Sequence, residues 1–305
     1  MIFLTGAGGY VGRRVARRLT ASGLKVRGLV PAWEDLPPDL PGVELVRGDV
    51  LDPASLAPHG AGVTAVVHAA AAMLPNPPEK VRSVNVEGTR HVLAAAQAWR
   101  ARRVVYVSAV SAAYGKKNCY GQSKVEAETL VAASGIPWVV LRPTMVYGEG
   151  GGLHFARLVE LVKSAPGVFP VFGPGTAKLQ PVHVADVANA VQLALAREEA
   201  LGGTWGVSGA SVVTFDELVT RVADALGVTR TLVHVPLPLA MAAATLAVKV
   251  SPSFFLTPEA LLGLNQDADL DFRPFADACG YHPRTLDEGL AGALGVTEAR
   301  TERAA

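Results

Sequence analysis

Three glycines near the start of the chain are the feature that most constrains its fold. A short apolar run, residues 2–4, leads into Gly6, Gly9 and Gly12, after which apolar residues recur at helical spacing. This order predicts a strand, a tight turn and a helix. An ordinary glycine turn is the alternative, but glycines at this spacing between a strand and a helix also let the backbone approach a pyrophosphate closely. We therefore expect a dinucleotide here, its phosphates held by amides at the start of the helix, which include those of Tyr10 and Val11.

Composition excludes several other classes of function. The chain has 305 residues, half of them hydrophobic, with 28 Lys and Arg against 27 Asp and Glu, so it can bury a large core and carries no basic surplus for nucleic acid. Its two cysteines, Cys119 and Cys279, are too far apart to indicate a zinc site or a disulfide framework. Met1 directly precedes the first predicted strand, which leaves no room for a secretory signal and makes a cytoplasmic location the expectation.

Short apolar segments alternate with helical ones over the first half of the chain. Further strands are expected at 25–30, 43–46, 65–68, 104–107 and 138–141, with helices at 79–99 and 120–133 among the connections. This alternation predicts an α/β fold with a Rossmann-type, doubly wound parallel sheet. After Pro143, glycine and proline cluster, strands become scarce, and helices are expected near 185–198, 214–226 and 237–250. We expect a nucleotide-binding domain over 1–145 and a smaller, mostly helical substrate lobe over 146–297. The lobe is expected to be interleaved with the first domain and to close over the edge of the sheet. A disordered tail is expected over 298–305.

The most apolar segment, Leu239 to Val248, is about half the roughly 20 residues that a membrane span needs. Two interpretations remain open for it. A buried helix of the C-terminal lobe is preferred over a face that docks on a membrane surface or a partner.

A second candidate site is the segment Tyr120-Gly121-Gln122-Ser123-Lys124 at the start of a predicted helix. A spacing of four residues puts Tyr120 and Lys124 on the same helical face. A nearby ammonium favours the phenolate, so we expect Lys124 to lower the pKa of Tyr120 and let it exchange a proton with a substrate hydroxyl or carbonyl. Such a pair also occurs by chance on exposed helices, and it gains weight only beside the glycine turn.

Together the two segments resemble those of the short-chain dehydrogenase/reductase superfamily, in its extended and atypical branches. Further matching segments are Gly48-Asp49-Val50, Val67-His68-Ala69-Ala70-Ala71, Asn85-Val86-Glu87-Gly88-Thr89 and Leu141-Arg142-Pro143. The resemblance covers nearly the whole chain. The segments around Ser108, Tyr120 and Leu179 to Ala188 look most like those of atypical members related to the NADP-binding accessory subunit of respiratory complex I. Many members of that group bind cofactor without a demonstrated reaction.

The resemblance implies a role for each matching position. Asp49 and Val50 would flank the adenine, and residues Ala69, Ala70 and Ala71 would line the path from ribose to nicotinamide. Tyr120 and Lys124 would hold the nicotinamide ribose, with Tyr120 as the acid and base, and Pro143 would pass under the nicotinamide ring.

Two positions depart from the superfamily's pattern. Active members carry a pair of hydroxyl side chains at the end of the fifth strand, where this chain has Ala109 between Ser108 and Ser111. Either serine is a candidate for the missing hydroxyl, and without one the chain would bind cofactor and catalyse little. At the end of the second strand, Pro31 stands where an acid would favour NAD and an arginine NADP. The missing acid, with Arg13 and Arg27 nearby in sequence, favours NADP.

Four further polar residues are interpreted as structural or left open. His68 is expected to be a hydrogen-bonded histidine at a strand end, and His183 with Asp186 to be part of a helix start, rather than metal ligands or catalytic groups. Asn85 either faces solvent or supports the helix beside the site.

The sequence thus predicts an NAD(P)-dependent epimerase, dehydratase or reductase that acts on a hydroxyl or carbonyl of a small molecule, with nucleotide sugars among the candidates. The alternative is a non-catalytic NADP(H)-binding structural or regulatory protein. No metal, nucleic acid or membrane span is expected, and a homodimer is possible.

Overall fold

A computed structural model describes residues 1–37, 39–250 and 257–294. The chain divides into two compact units. The first comprises Met1–Pro143, Val184–Val207 and Asp271–His282, and the second comprises Thr144–His183, Ser208–Leu270 and the chain from Pro283 onward. The tail predicted over 298–305 lies outside the described residues.

The strands are numbered in chain order. They are β1 (Ile2–Thr5), β2 (Val26–Val30), β3 (Val43–Arg47), β4 (Ala65–His68), β5 (Val104–Val107), β6 (Trp138–Pro143), β7 (Val146–Tyr147), β8 (Val168–Phe172), β9 (Lys178–Leu179), β10 (Val182–His183), β11 (Thr204–Val207), β12 (Val213–Thr214) and β13 (Thr231–Val235).

The α-helices are numbered in the same way. They are α1 (Tyr10–Ala21), α2 (Pro53–Leu56), α3 (Pro78–Arg82), α4 (Gly88–Ala98), α5 (Cys119–Ala132), α6 (Leu153–Ser164), α7 (Val184–Ala196), α8 (Phe215–Leu226), α9 (Leu237–Val250), α10 (Pro258–Leu264), α11 (Arg273–Cys279) and α12 (Leu286–Ala293).

The first unit is built on a parallel sheet of seven strands in the order β11-β6-β5-β4-β1-β2-β3. Strands β1, β4 and β5 are buried along their whole length, as expected for apolar strands covered on both faces. This confirms the predicted Rossmann-type sheet and its first six strands. The seventh strand, β11, was not predicted, because its four residues, Thr-Trp-Gly-Val, are too short and mixed to be recognised.

The order of the strands creates the place where a ligand binds in such sheets. From β1 the chain proceeds outward through β2 and β3, then returns to the other side of β1 as β4. The connections after β1 and β4 therefore leave in opposite directions at the carboxyl edge of the sheet. A crevice outside this reversal point is where doubly wound sheets bind nucleotides.

The helix predicted over 79–99 is present with one local change. Between α3 and α4, residues Ser83–Glu87 form a π-turn, which carries Asn85 in its middle. Such an insertion re-aims side chains and is frequent at functional sites.

In the second unit, the predicted helices near 214–226 and 237–250 are α8 and α9, while the one near 185–198 is α7 of the first unit. Short strands accompany them, including the parallel pair of β8 with β13, which the sequence did not predict. Each of these strands pairs over five residues or fewer, and an alternation of apolar and polar residues cannot be recognised in so short a segment.

The preferred interpretation of α9 as a buried helix was wrong. Ala240 and Ala244 are buried and pack near Leu261 of α10, but Leu239 and Leu246 are 64% and 65% exposed. Because α9 is apolar all round, its sequence could not tell which face packs inward. Among the described helices, none combines the length and apolarity needed to span a membrane.

Candidate functional site

The glycine turn connects β1 to α1, and two of its glycines have no room for a side chain. Gly6 has a φ of 70°, and a Cβ there would lie 2.8 Å from the backbone nitrogen of Ala70. A Cβ on Gly12 would lie 1.9 Å from the carbonyl oxygen of Gly6. The turn after β1 thus touches both the segment after β4 and the first turn of α1, which brings Gly6, Gly12 and Ala70 together at the reversal point.

The start of α1 is suited to an anionic ligand. Its N-cap is Gly9, which has no side chain to cap the helix, and its first turn contains no acidic residue. Helices leave their first amides without partners inside the helix, and these amides favour negative charge. The turn at Gly6 and Gly12, which has no room for side chains, and the uncapped start of α1 form a phosphate cradle. This cradle fits a dinucleotide pyrophosphate.

A directed chain of hydrogen bonds fixes the ends of β1 and β4. Thr5 Oγ1 lies 2.6 Å from His68 Nδ1, and His68 Nε2 lies 2.9 Å from Thr89 Oγ1. Thr89 donates its only proton to the carbonyl of Asn85 at 2.6 Å, so it accepts from Nε2 of His68, whose Nδ1 then accepts from Thr5. Thr5 in turn accepts from the amide of Ala70 at 3.2 Å.

His68 is therefore the hydrogen-bonded strand-end histidine that the sequence predicted. Burial, assisted by the charge of Lys124, lowers the pKa of His68 to about 3. It stays neutral at physiological pH and serves to hold the segment that carries Ala69, Ala70 and Ala71.

Asn85 is buried and binds the same segment, so the solvent-facing alternative was wrong. Its side chain accepts from the amide of Ala72 at 2.8 Å and donates to the carbonyl of Ala72 at 3.0 Å. Its amide also donates to Ser123 Oγ at 2.9 Å, and Ser123 donates to the carbonyl of Tyr120. Asn85 thus joins the segment after β4 to the helix that carries the tyrosine.

Tyr120 and Lys124 lie on one face of α5, as their spacing predicts. Lys124 is only 1% exposed, its Nζ donates to the carbonyl of Val107 at the end of β5 at 2.8 Å, and it lies 6.0 Å from the centre of the Tyr120 ring. It also lies 4.5 Å from the centre of the Tyr106 ring. The helix is held at this end by Asn118, whose side chain caps it by accepting from the amide of Gly121 at 2.9 Å.

The expected lowering of the Tyr120 pKa is not found. Burial raises the pKa of Tyr120 to about 12, and it lowers the pKa of Lys124 to about 7 against the opposing effect of Glu128. Desolvation decides the pKa of Tyr120 because burial disfavours the charged phenolate, while the ammonium of Lys124 points at the carbonyl of Val107. Tyr120 is therefore protonated at neutral pH.

Ser108 is committed to a buried network. It donates to Glu128 Oε1 at 2.5 Å, and Arg142 of β6 binds both oxygens of the same carboxylate at 2.9 and 2.6 Å. Glu128 is one helical turn beyond Lys124, so the sequence could have suggested it at the same spacing that links Tyr120 to Lys124. Its pairing with Arg142 depends on the fold and has no local signal.

Ser111 is the other hydroxyl considered at the end of β5. It lies in a single 3₁₀ turn, Val110–Ala112, and is 8% exposed. Its Oγ is buried and has no hydrogen-bond partner in the described structure, whereas Ser108 has one. The carbonyl oxygen of Ser111 packs against Gly121, at the start of the helix that carries Tyr120.

The remaining predicted cofactor residues also lie in the first unit. Asp49 accepts from the amide of Leu51 at 3.0 Å, which directs its carboxylate to its own loop. Val50 is buried under Gly88 in the core, and its carbonyl accepts from His91 at 2.9 Å. Pro143 is the last residue of β6 and is buried beside β11.

An acid that the sequence analysis missed lies against the glycine turn. A Cβ on Gly8 would lie 2.8 Å from Glu34 Oε2, so this carboxylate covers the middle of the turn. Glu34 is four residues beyond the end of β2, and its loop is fastened by Arg47, which donates to the carbonyls of Pro31 and Glu34 at 2.6 and 2.5 Å. The sequence analysis considered only the residues at the end of β2, and Glu34 lies further along the chain.

The two arginines considered for NADP both have partners in the structure, that of Arg27 on β3 and that of Arg13 at the glycine turn itself. Arg27 forms a bidentate ion pair with the two carboxylate oxygens of Glu44, at 2.8 and 3.0 Å. Arg13 donates to the carbonyl of Gly8 at 2.7 Å, and its guanidinium lies 3.8 Å from Asp39.

His183 and Asp186 belong to different units, and Asp186 lies in the first turn of α7, which confirms its interpretation as part of a helix start. Among the described residues, no three histidine, cysteine or acidic side chains converge as metal ligands would.

Comparison with known proteins identifies the family of the chain. The sequence model of the NAD dependent epimerase/dehydratase family matches residues 2–207. The ceramide reductase of Caulobacter vibrioides is 32% identical over 208 residues, a match that covers 66% of this chain and 62%, less than two thirds, of that protein. The 2-alkyl-3-oxoalkanoate reductase of Stenotrophomonas maltophilia is 29% identical over 259 residues, covering 75% of this chain and 76% of that one.

Among solved structures, a UDP-glucose 4-epimerase from Thermotoga maritima has the same fold, with a TM-score of 0.78 over 96% of this chain and 97% of that one at 18% identity. The glycine turn, the tyrosine and lysine on one helical face and the matched family sequence lead to one conclusion. This chain belongs to the NAD-dependent epimerase/dehydratase family.

Proposed function

We propose that this protein is an NAD(P)-dependent reductase that interconverts a carbonyl and a hydroxyl group on a substrate with a long apolar chain. The observation that carries the proposal is the pair of Tyr120 and Lys124 on α5, both in the unit that contains the glycine turn. The site combines a proton donor with a cradle for a nicotinamide dinucleotide, which is the combination that carbonyl reduction needs.

The residues divide the work in a simple way. Gly6, Gly9 and Gly12, with the amides of Tyr10 and Val11, would hold the pyrophosphate, while Ala69, Ala70 and Ala71 would line the path to the nicotinamide. Asp49 and Val50 would border the adenine, and Pro143 would lie at the nicotinamide end. When bound, the nicotinamide supplies or accepts a hydride.

Tyr120 would donate the proton to the substrate oxygen. Its pKa of about 12 keeps it protonated at neutral pH, and a charged Lys124 stabilises the phenolate left after the transfer. Because the pKa of Lys124 is about 7, we expect carbonyl reduction to slow as the pH rises through that value and the ammonium loses its charge.

A hydroxyl that orients the substrate oxygen would come from Ser111. Ser108 already donates its proton to Glu128, whereas Ser111 Oγ is unpartnered in the described structure. Ser108 would instead act at a distance by holding Glu128 behind Lys124. We expect Ser111→Ala to lower kcat by about tenfold or more, and Ser108→Ala to act mainly on stability.

The names of two relatives support this substrate class. Ceramide is a lipid and a 2-alkyl-3-oxoalkanoate carries an alkyl chain beside a ketone, so the two reductases described above are named for substrates that join an apolar chain to a carbonyl or hydroxyl. Nucleotide sugars rank second, because the epimerase of Thermotoga maritima is similar at only 18% identity.

The second candidate function is a non-catalytic nucleotide-binding protein, which Ala109 favours. An activity screen separates the two. Purified protein would be offered NADH or NADPH with 3-oxoacids of increasing chain length and with nucleotide sugars, with Tyr120→Phe as the matched variant. Tyrosine-dependent turnover that rises with chain length supports the proposal, and tight cofactor binding without such turnover contradicts it.

For the cofactor, we infer that NAD binds more tightly than NADP, which reverses the preference drawn from the sequence. Glu34 lies at Gly8, where it would accept from the adenosine ribose and repel a 2′-phosphate. Arg27 is neutralised by Glu44, and Arg13 is shared between the carbonyl of Gly8 and Asp39. Fluorescence titration should show NADH binding more tightly. Glu34→Gln should weaken NADH binding by about tenfold or more, whereas Asp35→Asn, a change at the neighbouring exposed acid, should not. Tighter binding of NADPH to the wild type would contradict the inference.

A further inference from the structure

The outward face of α9 is an apolar surface of the second unit that its core does not use. Leu239, Ala242, Ala243 and Leu246 are exposed and follow one another at helical spacing along one side of the helix. The opposite side packs through Ala240 and Ala244 against Leu261. Water therefore covers an apolar stripe of about two helical turns, which the core of the unit leaves available to a binding partner.

The composition of this stripe is unlike that of a protein interface. Protein interfaces rely on aromatic, methionine and arginine anchors and on hydrogen bonds at their rim. The stripe contains only leucine and alanine, and two leucines with two alanines offer roughly 200 to 300 Å², well below the roughly 800 Å² per partner of a stable complex. A lipid bilayer needs neither hydrogen-bonding partners nor shape complementarity, so it fits this surface better.

The charges of the helix also match a membrane surface. The whole of α9, Leu237–Val250, contains no acidic residue, and its one charged residue is Lys249. Lys249 is exposed and lies three residues beyond Leu246, so it continues the same stripe at the carboxyl end. A lysine at the end of an apolar stripe extends its ammonium to the phosphate layer while its stem stays in the apolar region.

We propose that the outward face of α9 docks this protein on a phospholipid bilayer, from which an amphipathic substrate is taken up directly. The docking is peripheral, with one side of the helix on the protein and the other in the boundary between headgroups and acyl chains. The uptake of substrate from the bilayer rests on the proposed function, whereas the docking itself does not.

Sedimentation with vesicles tests the docking without cofactor or substrate. Wild-type protein would be mixed with vesicles of phosphatidylcholine alone and of phosphatidylcholine with phosphatidylglycerol. We expect binding to both, and stronger binding to the anionic vesicles. The double variant Leu239→Glu, Leu246→Glu should lose at least tenfold in partitioning, and Lys249→Gln should lose only the preference for anionic vesicles. Val212→Glu is the matched control, because Val212 is 51% exposed but lies outside α9, and it should bind as the wild type does.

Circular dichroism and light scattering of each variant complete the test. Equal binding of the double variant and the wild type, or no binding by a folded wild type, would overturn the proposal. So would a wild-type dimer that the double substitution converts to a monomer, because a second copy would then cover the face. Turnover of a short, water-soluble 3-oxoacid reports on the proposed function separately. If vesicle binding fails while that turnover persists, only the docking is wrong.

Discussion

Replacing Gly6 with alanine tests the contact between the glycine turn and the segment after β4. The chain offers a matched control in Gly62, because both glycines have nearly the same left-handed backbone, with φ of 70° and 72°. A Cβ on Gly62 meets no atom within 4 Å, whereas a Cβ on Gly6 would lie 2.8 and 2.9 Å from the backbone of Ala70.

The magnitudes follow from this difference. A non-glycine residue in the left-handed region costs about 1 to 2 kcal/mol, so Gly62→Ala should lower the free energy of unfolding by about that amount. Gly6→Ala adds the cost of displacing a backbone segment, about 1 to 3 kcal/mol, for a total of roughly 2 to 5 kcal/mol. Urea unfolding followed by circular dichroism measures both.

Cofactor binding provides the second readout. Moving Ala70 disturbs both the phosphate cradle and the wall of the nicotinamide path, so Gly6→Ala should weaken NADH binding by more than about tenfold while Gly62→Ala leaves it unchanged. Equal losses of stability in the two variants, or unchanged NADH binding in Gly6→Ala, would refute the reasoning.

Three other substitutions test the contacts that hold the site. Glu128→Ala removes the shared partner of Ser108 and Arg142 and should lower the free energy of unfolding in urea by about 2 to 3 kcal/mol. The loss is smaller than for a fully buried ion pair because Arg142 is partly exposed. A loss below about 1 kcal/mol would contradict this expectation. Asn85→Asp removes the donors to Ala72 and Ser123 and should speed amide hydrogen exchange around residue 72, whereas unchanged exchange would show that Asn85 does not hold that segment. The pKa of His68 falls from 6.5 to about 3 on folding, so its contribution to stability is complete above 6.5 and is lost as the pH falls toward 3. His68→Gln should therefore reduce the dependence of unfolding free energy on pH in that window by up to about 1.4 kcal/mol per pH unit, and an unchanged slope would contradict the assignment.

Local patterns were enough to predict much of the fold. The glycine spacing after β1 predicted a tight turn in which the backbone has no room for side chains. The structure has that turn, because a side chain on Gly6 or Gly12 would collide with neighbouring backbone atoms. Spacing along α5 likewise placed Tyr120 and Lys124 together, since helical geometry alone decides which residues share a face.

Two kinds of feature could not be predicted from the sequence. One is a contact between segments that are distant in the chain, and the other is a pKa that depends on the depth of burial. The pairing of Glu128 with Arg142 joins a helix to a strand, so nothing near Ser108 reveals that its hydroxyl is already used. The pKa of Tyr120 depends on whether desolvation or attraction is larger, which only the depth of burial decides. Glu34 was missed because its loop folds back to the glycine turn.

We propose that Tyr120 and the glycine turn serve hydride transfer to a substrate with an apolar chain. The most direct measurement is the transfer of deuterium from NADH deuterated at C4 of the nicotinamide to the carbinol carbon of a reduced 2-alkyl-3-oxoalkanoate, followed by mass spectrometry under single-turnover conditions. We predict deuterium at that carbon with the wild type, and formation at least about a hundredfold slower with Tyr120→Phe at equal NADH binding. Tight NADH binding by the wild type with no deuterium transferred to this ketone, or the same rate in Tyr120→Phe, would contradict the account.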